Sequence, residues 1–197
     1  MKIAFLGNHI PPFSTESELD WTLEQLGHSV VKLQEGQATT AEVLVAGLQS
    51  DLFLFVHTHG WQTLGSMSLE EVLEVFRNRK IPSAGFHLDR YVGLRISDQR
   101  EDRVGKHPFW KCQFVFTADG GNPEFFKSRN VNHFWLPPGV AKRHCFIGTP
   151  KDEYRCDLAF VGAKFYHPEY NFREQLVTWL EQQKQWDVKI WGWGPRG

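Results

Sequence analysis

The feature that most constrains this chain is a strand–helix–strand pattern between residues 51 and 90. Residues 51–56 and 81–86 are apolar runs, and residues 68–80 between them repeat apolar side chains at helical spacing. Buried strands joined by a helix are typical of a parallel sheet that is covered on both faces. The pattern therefore predicts an α/β fold with a Rossmann-like parallel sheet and helices on both faces. The predicted core positions of the helix are Leu69, Val72, Leu73 and Phe76.

Polar, ionisable residues follow both of these strands. His57 and His59 come after the first strand, and His87 and Asp89 come after the second. Ligands of open parallel sheets bind beyond the carboxyl ends of the strands, so we interpret these four residues as one candidate site. Asp89 could be the general base of a reaction, or it could orient His87. A surface ion pair between Asp89 and Arg90 is the alternative.

The same four residues could in principle supply the ligands of a zinc ion. His57-Thr-His59 continues as Gly-Trp-Gln, without the nearby aspartate of metal-hydrolase motifs, so no metal site is expected. Trp61 either packs in the core or offers a flat apolar face to a sugar or a base, and we include it among the substrate-binding candidates.

The first strand, residues 2–7, leads into a polar loop and a helix. Gly7 is the only glycine there, so the loop lacks the Gly-x-Gly-x-x-Gly fingerprint of a dinucleotide site. Thr15 and Glu18 fit a capping box, which predicts a helix that begins near Glu16. The helix N-terminus could bind an anion or a sugar hydroxyl, or the polar residues could only cap it. The candidates at this position are His9, Ser14, Thr15 and Glu16.

Composition excludes several classes of protein. The 22 basic and 23 acidic residues give a formal charge of −1, which argues against a broad nucleic-acid footprint. Cys112, Cys145 and Cys156 have no metal-ligand spacing, and an odd number suits a reducing compartment. No apolar run approaches the roughly 20 residues of a membrane span, and the N-terminus does not read as a signal peptide. A cytoplasmic protein is expected.

The remaining sequence predicts two more strands of the first sheet and then a second, shorter pattern. Asp119 follows a strand at 113–117, where we favour an ordinary turn over a binding role. Residues 1–140 are predicted to form the first domain and 141–156 a linker. Residues 157–197 are predicted to begin an incomplete second α/β unit. Its helix, at 172–184, is expected to bury Phe172, Leu176, Trp179 and Leu180.

Short motifs in the second half resemble a known family. They are Phe116-Thr117 with Asp119, Trp135-Leu-Pro-Pro-Gly139, Asp157-Leu-Ala-Phe-Val-Gly162 followed by Arg173 and Leu176, and Ile190-Trp-Gly192. Together they resemble GT-B glycosyltransferases, most closely the CgeB-like group of spore-maturation and phage enzymes. The resemblance covers roughly residues 113–192, and the earlier residues match mainly in strand order.

The resemblance implies a metal-independent enzyme that uses a nucleotide-sugar as donor substrate and needs no separate cofactor. The first domain would hold the acceptor, which is a glycan, a small molecule or modified DNA. His87 and Asp89 would be catalytic, and Lys164 would contact the donor diphosphate unless it is only a solvated loop lysine.

Most of the donor-binding domain has no counterpart in this sequence. We therefore expect a partial form that is inactive alone and needs a companion C-terminal domain. The alternative is a non-catalytic α/β module that binds a carbohydrate or nucleotide in the same strand-end cleft.

Overall fold

The computed structural model describes residues 1–56, 60–92, 100–163 and 171–192. The described residues through Cys145 form one compact unit, and those from Phe146 onward form a second. This division falls inside the predicted linker at 141–156. Residues 142–155 are exposed throughout and contain two 3-10 turns, Lys142–His144 and Asp152–Tyr154.

The first unit alternates strands with helices along the chain. In order, its elements are β1 (Lys2–Gly7), α1 (Thr15–Gln25), β2 (Ser29–Gln34), α2 (Thr40–Leu48), β3 (Leu52–Val56), α3 (Leu69–Asn78), β4 (Ser83–His87), α4 (Arg100–Arg103), β5 (Phe114–Thr117), α5 (Pro123–Lys127) and β6 (His133–Trp135). A 3-10 turn, Pro108–Lys111, lies between α4 and β5.

The six strands form one parallel sheet in the order β2-β1-β3-β4-β5-β6. Their register aligns Leu6 with Leu33 and with Phe55, so that the central strands lie side by side along the sheet. The predicted Rossmann-like α/β fold with helices on both faces is therefore confirmed.

One face of the sheet packs against α2, α3, α5 and the 3-10 turn. Ala4 and Leu6 of β1 point to this face, together with Phe53 and Phe55 of β3. The four core positions predicted for α3 are its four buried residues, and they lie in the same cluster. The spacing of apolar residues thus predicted which face of α3 is buried.

The opposite face packs against α1. Ile3, Phe5, Val56 and Phe86 form its buried cluster, and Leu19 and Leu23 of α1 pack against them. Residues of β1 alternate between the two clusters, as side chains of a strand must when both faces of its sheet are covered.

The second unit contains β7 (Leu158–Val161), α6 (Asn171–Glu181) and β8 (Val188–Trp191). β7 and β8 are parallel, with Leu158 opposite Val188. The predicted core of its helix is partly wrong, because Phe172 is 70% and Trp179 49% exposed, whereas Val177 is fully buried. In the described residues this unit offers α6 a sheet of two strands, whose narrow face covers few side chains.

Among the described residues, no helix has the length and apolar composition that crossing a membrane requires.

Candidate functional site

The order of the strands places the candidate site of the first unit. The chain passes from β1 outward to β2 and then returns to the other side of β1, where β3 lies. The connections that follow β1 and β3 therefore leave the sheet in opposite directions and open a crevice between them. Ligands of open α/β sheets bind at this switch point, beyond the carboxyl ends of the strands. Gly7 and the loop to α1 form the described side of the crevice.

Gly7 is required at the end of β1 because Glu16 lies directly above it. A Cβ atom at Gly7 would be 2.5 Å from Cγ of Glu16 and 3.4 Å from Cε2 of Phe5. Any side chain at position 7 would therefore displace Glu16. The Glu16 carboxyl group is only 3% exposed, and its Oε1 atom has no hydrogen-bond partner among the described residues. An unpartnered buried carboxylate oxygen is costly, so its presence requires an explanation.

His9 presents a second buried acceptor in the same loop. Its Nε2–H donates to the carbonyl oxygen of Phe5 at 3.1 Å, and its ring meets the Phe5 ring edge-on with 4.8 Å between the centroids. With the hydrogen on Nε2, the Nδ1 atom of a neutral imidazole is an acceptor. This atom is buried and has no partner in the described part of the chain. Glu16 and His9 thus each have a buried acceptor atom that no described residue uses.

The loop that carries these residues is held by its own hydrogen bonds. Gln34 of β2 accepts from the backbone N–H of His9 at 2.8 Å and donates to Asn8 Oδ1 at 3.1 Å. Ser14 caps α1 by accepting from the backbone N–H of Ser17, and its hydroxyl donates to the Asn8 carbonyl. These hydrogen bonds hold the loop between β1 and α1 in place.

The predicted start of α1 is wrong by one residue. Ser14 is the N-cap, and Thr15 is the first helical residue, so the capping box predicted from Thr15 and Glu18 does not form. Glu18 instead accepts from Arg143 and His144. Ser14 therefore has a capping role, which was one of the two interpretations of this loop.

The site predicted at the end of β4 has a different environment. His87 accepts the backbone N–H of Asp89 on its Nδ1 atom at 3.0 Å, and its ring meets the Tyr91 ring with 5.0 Å between centroids. It also faces Phe109, which belongs to the cluster on the side of the sheet opposite α1. Asp89 is exposed. His87 and Asp89 are therefore neighbours, but His87 faces away from the α1 side, where Glu16 lies.

Asp119 is buried, and both of its carboxylate oxygens accept hydrogen bonds. Oδ1 accepts the backbone N–H groups of Tyr91 and Val92 at 2.9 Å, and Oδ2 accepts the Thr117 hydroxyl at 2.6 Å. Thr117 also contacts Nε2 of His133 at 2.9 Å. Asp119 thus ties the segment after β4 to the end of β5, which is a structural role.

Trp61 is also engaged within the fold. Its Nε1–H donates to the Met67 carbonyl at 3.1 Å, and its ring meets Phe55 edge-on with centroids 5.7 Å apart. Both contacts are those of a tryptophan that anchors a loop. Its proposed contact with substrate stays a prediction.

Three predicted site residues, His57, His59 and Lys164, lie outside the described residues. Within the described ranges, no group of three histidine, cysteine, aspartate or glutamate side chains is placed to hold a metal ion. Cys112 is buried beside Ser83, and burial raises the pKa of its thiol to about 12. A thiol of that pKa is protonated at neutral pH and is a poor nucleophile.

Sequence reasoning missed the ion cluster that joins the segment after β6 to α1. The Arg143 guanidinium binds the Glu18 carboxylate through Nε at 3.2 Å and through Nη2, and His144 Nε2 lies 3.0 Å from the same carboxylate. We call these three residues the clasp. The hydrogen bond from Arg143, and then that from His144, lowers the pKa of Glu18 below its usual value. Residues 125 positions apart carry no local pattern that predicts such a pairing.

No model of a known protein family matches this chain, and a comparison with curated proteins likewise finds no match.

Proposed function

We propose that this chain is the acceptor-binding part of a GT-B type glycosyltransferase, and that Glu16 and His9 receive the acceptor hydroxyl at the end of β1. The observation that carries the proposal is the buried carboxylate oxygen of Glu16, which has no partner in the described residues. It lies at the switch point of a parallel sheet, where ligands of such folds bind.

The chemistry of the two acceptors decides between the ligands considered for this loop. A carboxylate oxygen and an imidazole Nδ1 both need a hydrogen-bond donor, and an alcohol supplies one. An anion would instead be repelled by the Glu16 carboxylate, which already lies in the first turn of α1. The loop is therefore suited to a hydroxyl group rather than to a phosphate.

A sugar transfer needs a base that removes the proton of the attacking hydroxyl. We assign this role to Glu16 rather than Asp89, because Glu16 is only 3% exposed and has a carboxylate oxygen without a partner in the described residues, whereas Asp89 is exposed. Such a base contributes about 10²- to 10⁴-fold to the rate. His9 is assigned to orient the hydroxyl through its Nδ1 atom.

The test is a transfer assay on the protein in its natural full length, with nucleotide-sugars as donors and release of the nucleoside diphosphate as readout. Glu16→Gln keeps the shape of the side chain but removes the base, so turnover is expected to fall by about 10²-fold or more. The matched control is Glu24→Gln, an exposed glutamate in the last turn of the same helix, which should leave turnover unchanged.

Two outcomes would contradict the assignment. Unchanged turnover in Glu16→Gln removes Glu16 as the base, and loss of turnover in Asp89→Asn alone returns the role to the end of β4. Absence of transfer from every nucleotide-sugar tested contradicts the glycosyltransferase itself.

The second candidate is a non-catalytic module that binds a carbohydrate or nucleotide. The buried acceptor atoms of Glu16 and His9 favour it as well, because they can bind a hydroxyl group without any transfer chemistry. The two functions separate on one measurement. A module binds polyols, as monitored by protein NMR, loses that binding in Glu16→Gln and never releases a nucleoside diphosphate.

A further inference from the structure

A cavity of about 410 Å³ lies between α1 and the segment that follows β6. Its walls come from one side of α1, from the end of β4 and from residues 136–141. The apolar walls are formed by Phe13, Leu19, Phe86, Leu88, Leu136 and Val140. Its volume is within the range of pockets that bind small organic molecules, roughly 300–1,000 Å³.

The charges at this cavity are already neutralised. Glu18 is the only charged residue among the described residues of its lining, and the guanidinium of Arg143 holds that carboxylate in a two-point contact. Arg143 also lies over the Trp21 ring, 5.1 Å from its centroid. No unmatched charge in the lining is available to attract an ion, so the cavity suits an uncharged molecule.

The clasp also determines the shape of the cavity. It ties the segment after β6 to α1, and residues 136, 137 and 139–141 of this segment form one wall of the cavity. Phe13 is 84% and Val140 72% exposed, and both belong to the lining. Exposed apolar side chains around a cavity mark a surface that gains free energy when a ligand covers it.

The lining also contains two hydroxyl side chains, Thr15 and Thr22 of α1. A hydroxyl group can donate a hydrogen bond and accept one. The cavity therefore offers an alcohol or phenol polar partners beside its apolar walls.

From these observations we infer that the acceptor is a neutral, apolar, ring-containing alcohol or phenol, and that this cavity binds its apolar body. That the bound molecule is an acceptor rests on the proposed function. The binding itself does not, because it can be measured without any transfer reaction. Glycans and DNA are too polar for these walls and are not the substrates that the cavity fits.

The test uses N-phenyl-1-naphthylamine, a neutral aromatic probe whose fluorescence increases in apolar surroundings, with 2-naphthol as competitor. We expect saturable binding of one probe per chain and displacement by 2-naphthol. Gly139→Trp fills the cavity, since Gly139 belongs to its lining and a Cβ atom there meets no other atom within 4 Å. This variant should weaken probe binding by at least about 10-fold, or 1.4 kcal/mol.

The matched control is Gly148→Trp, where a Cβ atom also meets nothing within 4 Å and which is not part of the cavity lining. It should bind the probe as the wild type does. A second pair of variants tests the same cavity without inserting a tryptophan. Leu136→Asp places a charge in the lining and should weaken binding, whereas Leu64→Asp, at an exposed leucine elsewhere, should not.

Failure of this inference and failure of the proposed function give different results. No saturable binding, or equal binding by Gly139→Trp, Leu136→Asp and wild type, overturns the cavity assignment and leaves the Glu16 assay unaffected. Saturable binding that both cavity variants weaken supports the cavity as the binding site, even if no sugar is transferred to 2-naphthol. In that case only the glycosyltransferase is contradicted.

Discussion

Near the carboxyl ends of the strands, Glu16 and His9 differ from Asp119 in their hydrogen bonds. Asp119 uses both carboxylate oxygens within the fold, whereas Glu16 Oε1 and His9 Nδ1 are buried acceptors without donors in the described residues. Each unsatisfied buried group costs about 1–3 kcal/mol and therefore calls for an explanation. This contrast is why the proposed chemistry belongs to the end of β1.

Gly7 supports that site, and its replacement should be measurable. Gly7→Ala places a Cβ atom 2.5 Å from Glu16 Cγ, so either Glu16 or the end of β1 must move. We expect a loss of about 1–3 kcal/mol in the free energy of unfolding, measured by urea denaturation. Gly139→Ala, at a position with nothing within 4 Å, is the control and should stay within about 0.5 kcal/mol of wild type. Equal stability of the two variants would show that Glu16 does not occupy this position.

The lowered pKa of His133 predicts how the free energy of unfolding changes with pH. Burial lowers its pKa below 6.5, and the negative charge of Asp119 opposes that effect by a smaller amount. As the pH falls, His133 is therefore protonated at a higher pH in the unfolded chain than in the folded protein. This lowers the free energy of unfolding below about pH 6.5, and the decrease ends once the pH is below the folded-state pKa. The ring stacks on Phe126 at 3.7 Å, which accounts for its burial.

His133→Gln should flatten that part of the profile, measured as the free energy of unfolding between pH 7.5 and 5. His107, whose pKa burial also lowers, acts with the same sign and remains in both proteins. His28→Gln, in the turn between α1 and β2, is the matched control. A profile of His133→Gln with the wild-type slope would contradict the assignment.

At the scale of the elements, two helices begin with complete capping boxes. In α2, Thr39 and Glu42 satisfy each other's backbone N–H groups, and in α3 Ser68 and Glu71 do the same. The bonds from the Ser68 backbone and hydroxyl lower the pKa of Glu71, and those from Thr39 lower that of Glu42. Both helices start where these local hydrogen bonds form. The helix α1 starts at Thr15, after its N-cap Ser14, whose hydroxyl also donates to the Asn8 carbonyl.

Removing the cap of α3 should destabilise the first unit by about 1 kcal/mol. Ser68→Ala loses the bond to the Glu71 N–H, and urea denaturation at pH 7 measures the loss. Because the pKa of Glu71 is lowered in the folded state, its contribution is present above pH 4.5 and disappears as the pH falls through the folded-state value. Ser66→Ala, at an exposed position two residues earlier, should have no such effect. A Ser68→Ala variant as stable as wild type would show that the capping box contributes nothing.

At the scale of the whole molecule, the chain consists of two units joined by exposed residues. The backbone from 146 to 155 is exposed at every position and contains Lys151 and Arg155. Exposed loops are the preferred sites of proteolysis. Brief trypsin treatment should therefore cut first at these two residues, as mass spectrometry of the fragments will show.

The larger fragment should keep the circular dichroism of a folded α/β unit, because the six-stranded sheet and both of its cores lie before residue 146. Lys151→Gln with Arg155→Gln should slow the first cut. Initial cleavage inside the sheet instead would contradict the division into units.

The sequence alone determined the parallel sheet, the order of its strands and helices, and the buried face of α3. These follow from short-range patterns: apolar strands, helical spacing and caps, which act over a few residues. The polar residues after the strands predict a site at the carboxyl edge of the sheet, and that site stays a prediction. Tertiary structure decided that Glu16 is buried over Gly7 without a partner, while His87 and Asp119 find partners within the fold. It also brought Arg143 back to Glu18 across 125 positions. How α1 crosses the sheet decides which of these side chains are buried and which find hydrogen-bond partners. No local sequence pattern encodes that packing.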